Sequence, residues 1–95
     1  MPRPRRLIFA PEVAKVVRVL HPSAKRKVRE AVEAIRVDPE IGDELLRELS
    51  GLQRLRVGRL RIVYRVEPRQ VQIVAIGPRA TIYVDLTARR QRGEG

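Results

Sequence analysis

The spacing of apolar residues changes at Gly51, and that change limits the chain to a small set of folds. Upstream, apolar residues recur every third or fourth position, the repeat of a helix with one buried stripe. Downstream they alternate, the repeat of a strand with one buried face. Val13, Val16, Val17 and Leu20 make a first helical stripe, and Val28, Ala31, Val32 and Ile35 make a second. Pro11 and Glu12 suit the start of the first helix, where a missing N–H costs nothing and a carboxylate meets the positive end of the dipole. His21-Pro22 separates the two helices, Ser23 is the expected N-cap of the second, and Asp38-Pro39 stops it near Val37. So short a link predicts an antiparallel helical hairpin. Ahead of it, Arg6 to Ala10 has the composition of a short strand.

Three strands are expected after Gly51, over Leu52–Val57, Leu60–Val66 and Gln70–Ile76. Gly58-Arg59 and Glu67-Pro68-Arg69 are tight enough for hairpin turns, so the strands form a meander, and Gly77-Pro78 ends the last of them. Pro39 to Asp43 is expected as loop and Glu44 to Leu49 as a helical turn. Thr81 to Leu86 fits one more short strand or the entry to a terminal helix. The expected fold class is α+β: a strand, an N-terminal helical hairpin, then an antiparallel three- to four-stranded sheet. Its 95 residues suit a single domain, with residues 1–5 and about 90–95 flexible.

Charge is concentrated where the strands are. Residues 1–50 carry a net of +3 and residues 51–95 a net of +7. Between Arg54 and Arg65 lie five arginines and no acid. In strands, Gln53, Leu55 and Val57 share one face with Leu60, Ile62, Tyr64 and Val66. Arg54, Arg56, Arg59, Arg61, Val63 and Arg65 take the other, which predicts one apolar and one cationic face. A total of +10 on so small a body favours a polyanionic partner, nucleic acid first, through long-range attraction and counterion release. The use of 18 arginines, 3 lysines and no asparagine also fits a compositional bias without function.

The absence of cysteine excludes a disulfide framework, a thiolate zinc site and a cysteine nucleophile. One histidine, His21, excludes a multi-histidine metal cluster, so no metal or cofactor is expected. Leu7 to Ala10 is too short for a membrane span or a signal-peptide core, which leaves a soluble cytoplasmic protein as the expectation.

Three short patterns, in order, carry a resemblance to a known family: Leu49-x-Gly51, then Arg56-x-Gly58-x-x-Arg61-Ile-Val-Tyr64, then Gly77-x-Arg79-x-x-x-Tyr83. In this the chain, from about Arg6 to Leu86, resembles the RelE/ParE superfamily of toxins from type II toxin–antitoxin pairs, and the RelE-like branch in particular. The resemblance implies a ribosome-dependent mRNA endonuclease that inhibits translation and is neutralised by a cognate antitoxin. It implies mRNA, the ribosome and the antitoxin as partners, no membrane, and a toxin–antitoxin hetero-oligomer. Carried onto this sequence, Arg61 and Arg79 match the arginines that hold the scissile phosphate. Tyr83 matches a tyrosine that stacks on or helps activate the cleaved nucleotide, and Arg54 and Arg56 match a basic RNA-binding strand. Leu52 stands where some active members have a lysine, and Pro78 where many have a histidine.

Cleavage without a metal needs an aligned 2′-OH, a proton acceptor, stabilisation of the charged phosphorane and an acid for the leaving group. Arginines supply the third through charge-assisted contacts to phosphate oxygens. They are poor bases because they stay protonated. Tyr83, which the resemblance sets beside Arg61 and Arg79, is, if ringed by them, the candidate for proton transfer or for base stacking, with a structural tyrosine capping the last strand as the alternative. Arg59 and Arg65 read as solvated charges, Tyr64 as a core residue with its hydroxyl at the rim, His21 as a cap for helix carbonyls, and Lys25 to Arg29 as a solvated helix face. Two other functions fit the same sequence: a ParE-like inhibitor of DNA gyrase that cuts nothing, and a catalytically decayed RNA-binding domain.

Overall fold

The computed structural model describes residues 5–78, 82–83 and 86–88. The expectations for Arg79, for residues 1–4 and for 89–95 lie outside the described residues. In chain order the elements are β1 (Arg6–Phe9), α1 (Pro11–Arg18), α2 (Pro22–Val37), β2 (Asp43–Glu44), β3 (Gln53–Val57), β4 (Leu60–Val66) and β5 (Gln70–Pro78), with short 3-10 turns at Pro39–Ile41 and Arg47–Leu49. The sheet has five strands in the order β1-β5-β4-β3-β2. The meander is antiparallel as expected, but β1 joins it in parallel, with Arg6 opposite Gln70 and Phe9 opposite Ile73. A two-residue strand, β2, closes the far edge against β3.

The helical hairpin covers one face of this sheet. Val13, Val28, Val32 and Ile35 pack against Ile62, Tyr64, Val71, Ile73 and Ile76, with α1 over β5 and α2 over β3. The stripe predicted for α2 is the buried one, and a fully buried side chain such as Ile35 contributes roughly 1.5–3 kcal/mol of transfer free energy. The cap of α2 differs from expectation. His21, not Ser23, is the N-cap: its Nδ1 accepts the Ser23 N–H at 3.2 Å, and Pro22 takes the first helical position. The cause is the fixed φ of proline, which suits the first residue of a helix and moves the cap back by two residues. His21 thus holds an N–H and not a carbonyl. The first turn of α2 has no acid. The His21→Asp variant is therefore expected to stabilise the fold by about 0.5 kcal/mol, readable as a shift of the urea midpoint.

β4 and β5 run in register from Pro78 to Ala75, then slip between Val63 and Tyr64, so that Val74 is an extra residue in β5. This bulge explains why the consecutive residues Val74 and Ala75 both belong to a second apolar cluster, on the face away from the helices. β5 also continues to Pro78 instead of ending at Ile76. β1 ends opposite Ile73, so the last part of β5 is flanked by β4 alone, and an edge position tolerates a residue with no N–H. The β3–β4 turn has a positive φ at Gly58 but not at Arg59, the signature of a type II′ hairpin.

Tyr64 is fully buried, and its hydroxyl is not at a rim. It donates to the Pro39 carbonyl at 2.7 Å and accepts the Gly42 N–H at 3.0 Å, pinning the turn after α2 to the sheet. Burial, more than any other influence, raises the phenol above its ordinary value. With the folded value raised, the unfolded chain ionises first. The stability this residue contributes is complete below about pH 10 and is lost as pH rises beyond it. In urea titrations from pH 9 to 11, Tyr64→Phe should remove that alkaline decline; an identical decline in both proteins would assign it elsewhere.

Candidate nucleic-acid interface

The face away from the helices is read along two rows of paired residues. One row is Arg56, Arg61 and Gly77; the next is Arg54, Val63 and Ala75. The arginines share this face as the alternation predicts, but the face is not purely cationic. Its centre is a second core, in which Leu49, Leu52, Val63, Val74 and Ala75 pack with Ile82 and Leu86. Residues 82–83 and 86–88 are helical, which favours the helical alternative for the stretch after Gly77. The cationic side chains therefore border an apolar patch that this segment covers.

Arg61 is only 8% exposed. Its Nε is buried without a hydrogen-bond partner, and Nη1 makes only a 3.5 Å approach to the Leu60 carbonyl. Directly across the strand pair stands a second arginine, Arg56, which is exposed. Like charges opposite one another in a sheet repel. Neither residue forms an ion pair among the described residues. Such a pair, one member desolvated, has hydrogen-bond donors to offer an acceptor from outside the sheet.

Arg54 is held differently. Its Nη2 donates to Asp43 Oδ2 at 3.2 Å and its Nη1 to the Tyr83 hydroxyl at 3.4 Å. The bond to Tyr83, then that to Asp43, raises its pKa further and keeps it cationic. Of the predicted site residues, the structure thus brings Arg54 to Tyr83 and Arg56 to Arg61. Tyr83 takes Arg54 as a hydrogen-bond partner and packs on the apolar patch, whose row of the sheet Arg54 shares. Asp43 was missed. Only the pairing of β2 with β3 puts it opposite Arg54, and a two-residue strand leaves no alternation to detect. Arg59 is an exposed hairpin-tip charge, and Arg65 donates to Gln72 across the β4–β5 pair at 3.5 Å.

With this geometry in view, similar proteins identify the fold. Over 81% of this chain and 100% of the other, it is 27% identical to a chain of the RelBE2 toxin–antitoxin complex from Mycobacterium tuberculosis, with a TM-score of 0.73. The free-state mutant of the Escherichia coli toxin RelE superposes with a TM-score of 0.74 at 20% identity, over 94% of this chain and 98% of that one. A YoeB/ParE toxin from Agrobacterium tumefaciens gives 0.69 at 13% identity, over 78% and 98%; at such identities the likeness is of fold alone. No curated protein sequence matches the chain. The profile described as ParE toxin of type II toxin-antitoxin system, parDE, matches residues 7–83. The chain belongs to that family of type II toxins, within the wider RelE/ParE/YoeB-type superfamily.

Among the described residues, no helix is long and apolar enough to cross a membrane.

Proposed function

We propose that this toxin is a ribosome-dependent endoribonuclease of the RelE type, inactive while bound to a cognate antitoxin. The observation that carries the reading is the Arg56–Arg61 pair: a desolvated guanidinium with an unmet donor facing a second arginine across the strands. A scissile RNA phosphate would supply the missing acceptors. Arg61 would stabilise charge developing on its oxygens, and Arg56 would hold the backbone beside it. Arg79, carried over from the family pattern, would take the other side of the phosphate. Tyr83, whose hydroxyl accepts a hydrogen bond from Arg54, would stack on the nucleotide or move a proton. In this chemistry the 2′-oxygen forms a bond to phosphorus as the bond to the 5′-oxygen breaks. The 2′-proton goes to the acceptor and another is delivered to the leaving oxygen. Alignment of the mRNA by the ribosome would provide much of the rate.

The family profile supports a second reading, a ParE-like inhibitor of DNA gyrase with no catalytic activity. Primer extension on an mRNA translated in a reconstituted system, run beside a gyrase supercoiling assay, separates the two. Codon-phased cuts with normal supercoiling are expected. Blocked supercoiling without cuts would overturn the nuclease reading.

A further inference from the structure

We propose that the open edge of β1 and the groove beside it dock an extended, acidic segment of the partner antitoxin, which adds to the sheet next to β1. The partner's identity rests on the toxin–antitoxin reading above; the surface and its chemistry rest on the following geometry. β1 is the terminal strand of the sheet, and among the described residues nothing pairs with its outer edge. The Arg6 N–H donates to Arg69 at 3.0 Å and the Ala10 N–H to Ile73 at 3.1 Å, so the even-numbered residues turn their backbone groups toward β5. Backbone polarity alternates along a strand, so the N–H and C=O groups of Leu7 and Phe9 face outward. An unpaired apolar edge is a template for another strand.

The side chains of those same two residues line a groove of about 410 Å³, continued by Val17 of α1 and Val28 and Val32 of α2. Phe9 is 43% exposed there, a large aromatic waiting for cover. The rim is charged: Lys25 and Arg29 line it, and the one acid present, Glu33, is held by Arg36. An incoming strand with aliphatic residues on its helix-facing side would fill the groove, and acidic residues along it would meet Lys25 and Arg29. The Lys25–Arg29 run, read from sequence as a solvated face, gains a role in partner choice. The groove is on the helix side of the sheet and Arg54, Arg56 and Arg61 are on the other. Docking at β1 therefore anchors the partner without covering the cationic side chains.

The test uses a fluorescent peptide of alternating valine and glutamate, its lysine counterpart, and a version N-methylated at alternate positions. Binding by the glutamate peptide is expected, with slowed hydrogen exchange at the Leu7 and Phe9 amides. The lysine and N-methylated peptides should bind at least about tenfold more weakly. Phe9→Glu and the Lys25→Glu/Arg29→Glu double variant should each weaken the glutamate peptide by at least about tenfold with unchanged circular dichroism. Absent binding, equal binding of the two charge types, or protection centred on Arg54 to Arg61 would overturn the proposal. So would protection of Leu7 and Phe9 without peptide, whether concentration-dependent, as for a second copy, or not, as for cover by the chain itself. Cleavage assays report on the other face, so a negative peptide result leaves the proposed function standing, and the reverse also holds.

Discussion

Replacing Arg61 with methionine is expected to lower cleavage of ribosome-bound mRNA by about a hundredfold or more while the protein becomes more stable. The two effects have one cause. Arg61 is almost entirely buried, its Nε is unbonded, and the residue opposite carries the same charge. A desolvated cation without an acid destabilises a fold. Methionine keeps much of the length and apolar stem and removes the charge, so unfolding in urea should require about 1 kcal/mol more. Primer extension and urea titration on the same preparation read both quantities. A variant that loses stability yet cuts normally would show that the guanidinium supports the strand pair and has no part in the reaction.

The largest effect on stability is expected at Gly42. A Cβ there would overlap the Tyr64 hydroxyl and come within 2.7 Å of the Arg54 carbonyl oxygen. The backbone conformation is ordinary, φ −89°, so the penalty is one of space alone. A carbonyl in the middle of a sheet cannot swing aside as a side chain can. Gly42→Ala should therefore cost about 2–4 kcal/mol, and Tyr64→Phe about 1–3 kcal/mol through the unpaired Gly42 N–H and Pro39 carbonyl. The double variant should cost less than the sum, because phenylalanine removes one of the two obstacles. Gly51→Ala offers the contrast: φ is +90° and nothing lies within 4 Å, so only backbone strain of about 1 kcal/mol is expected. Equal costs at both glycines would refute the steric account.

Period was the legible part of this chain. The stripes of α1 and α2 and the alternation in β3 and β4 mark buried faces directly, and the structure buries them. Long-range pairing left no such trace. Nothing in Arg6 to Phe9 specifies a parallel partner beyond Gln70, and nothing in Asp43-Glu44 marks a strand, so β1's place and the Asp43–Arg54 contact were out of reach. The bulge at Val74 was equally hidden. Ile73 to Ile76 is an unbroken apolar run, and a slip of one residue inside such a run changes no pattern. For the site, alternation put Arg54, Arg56 and Arg61 on one face correctly. It missed the apolar centre of that face, since Ile82 and Leu86 come from a helical segment whose packing no local pattern declares.

The parallel pairing of β1 with β5 also fixes an order of events during synthesis. β3, β4 and β5 are joined by tight turns and can zip together locally, whereas Arg6 must wait for Gln70. Of the five strands, β1 is the first made and the last to find its place. A growing chain therefore carries an unpartnered strand until β5 has left the ribosome, and only then can the sheet present both of its faces. Maturation of this toxin is thereby tied to translation of nearly the whole domain.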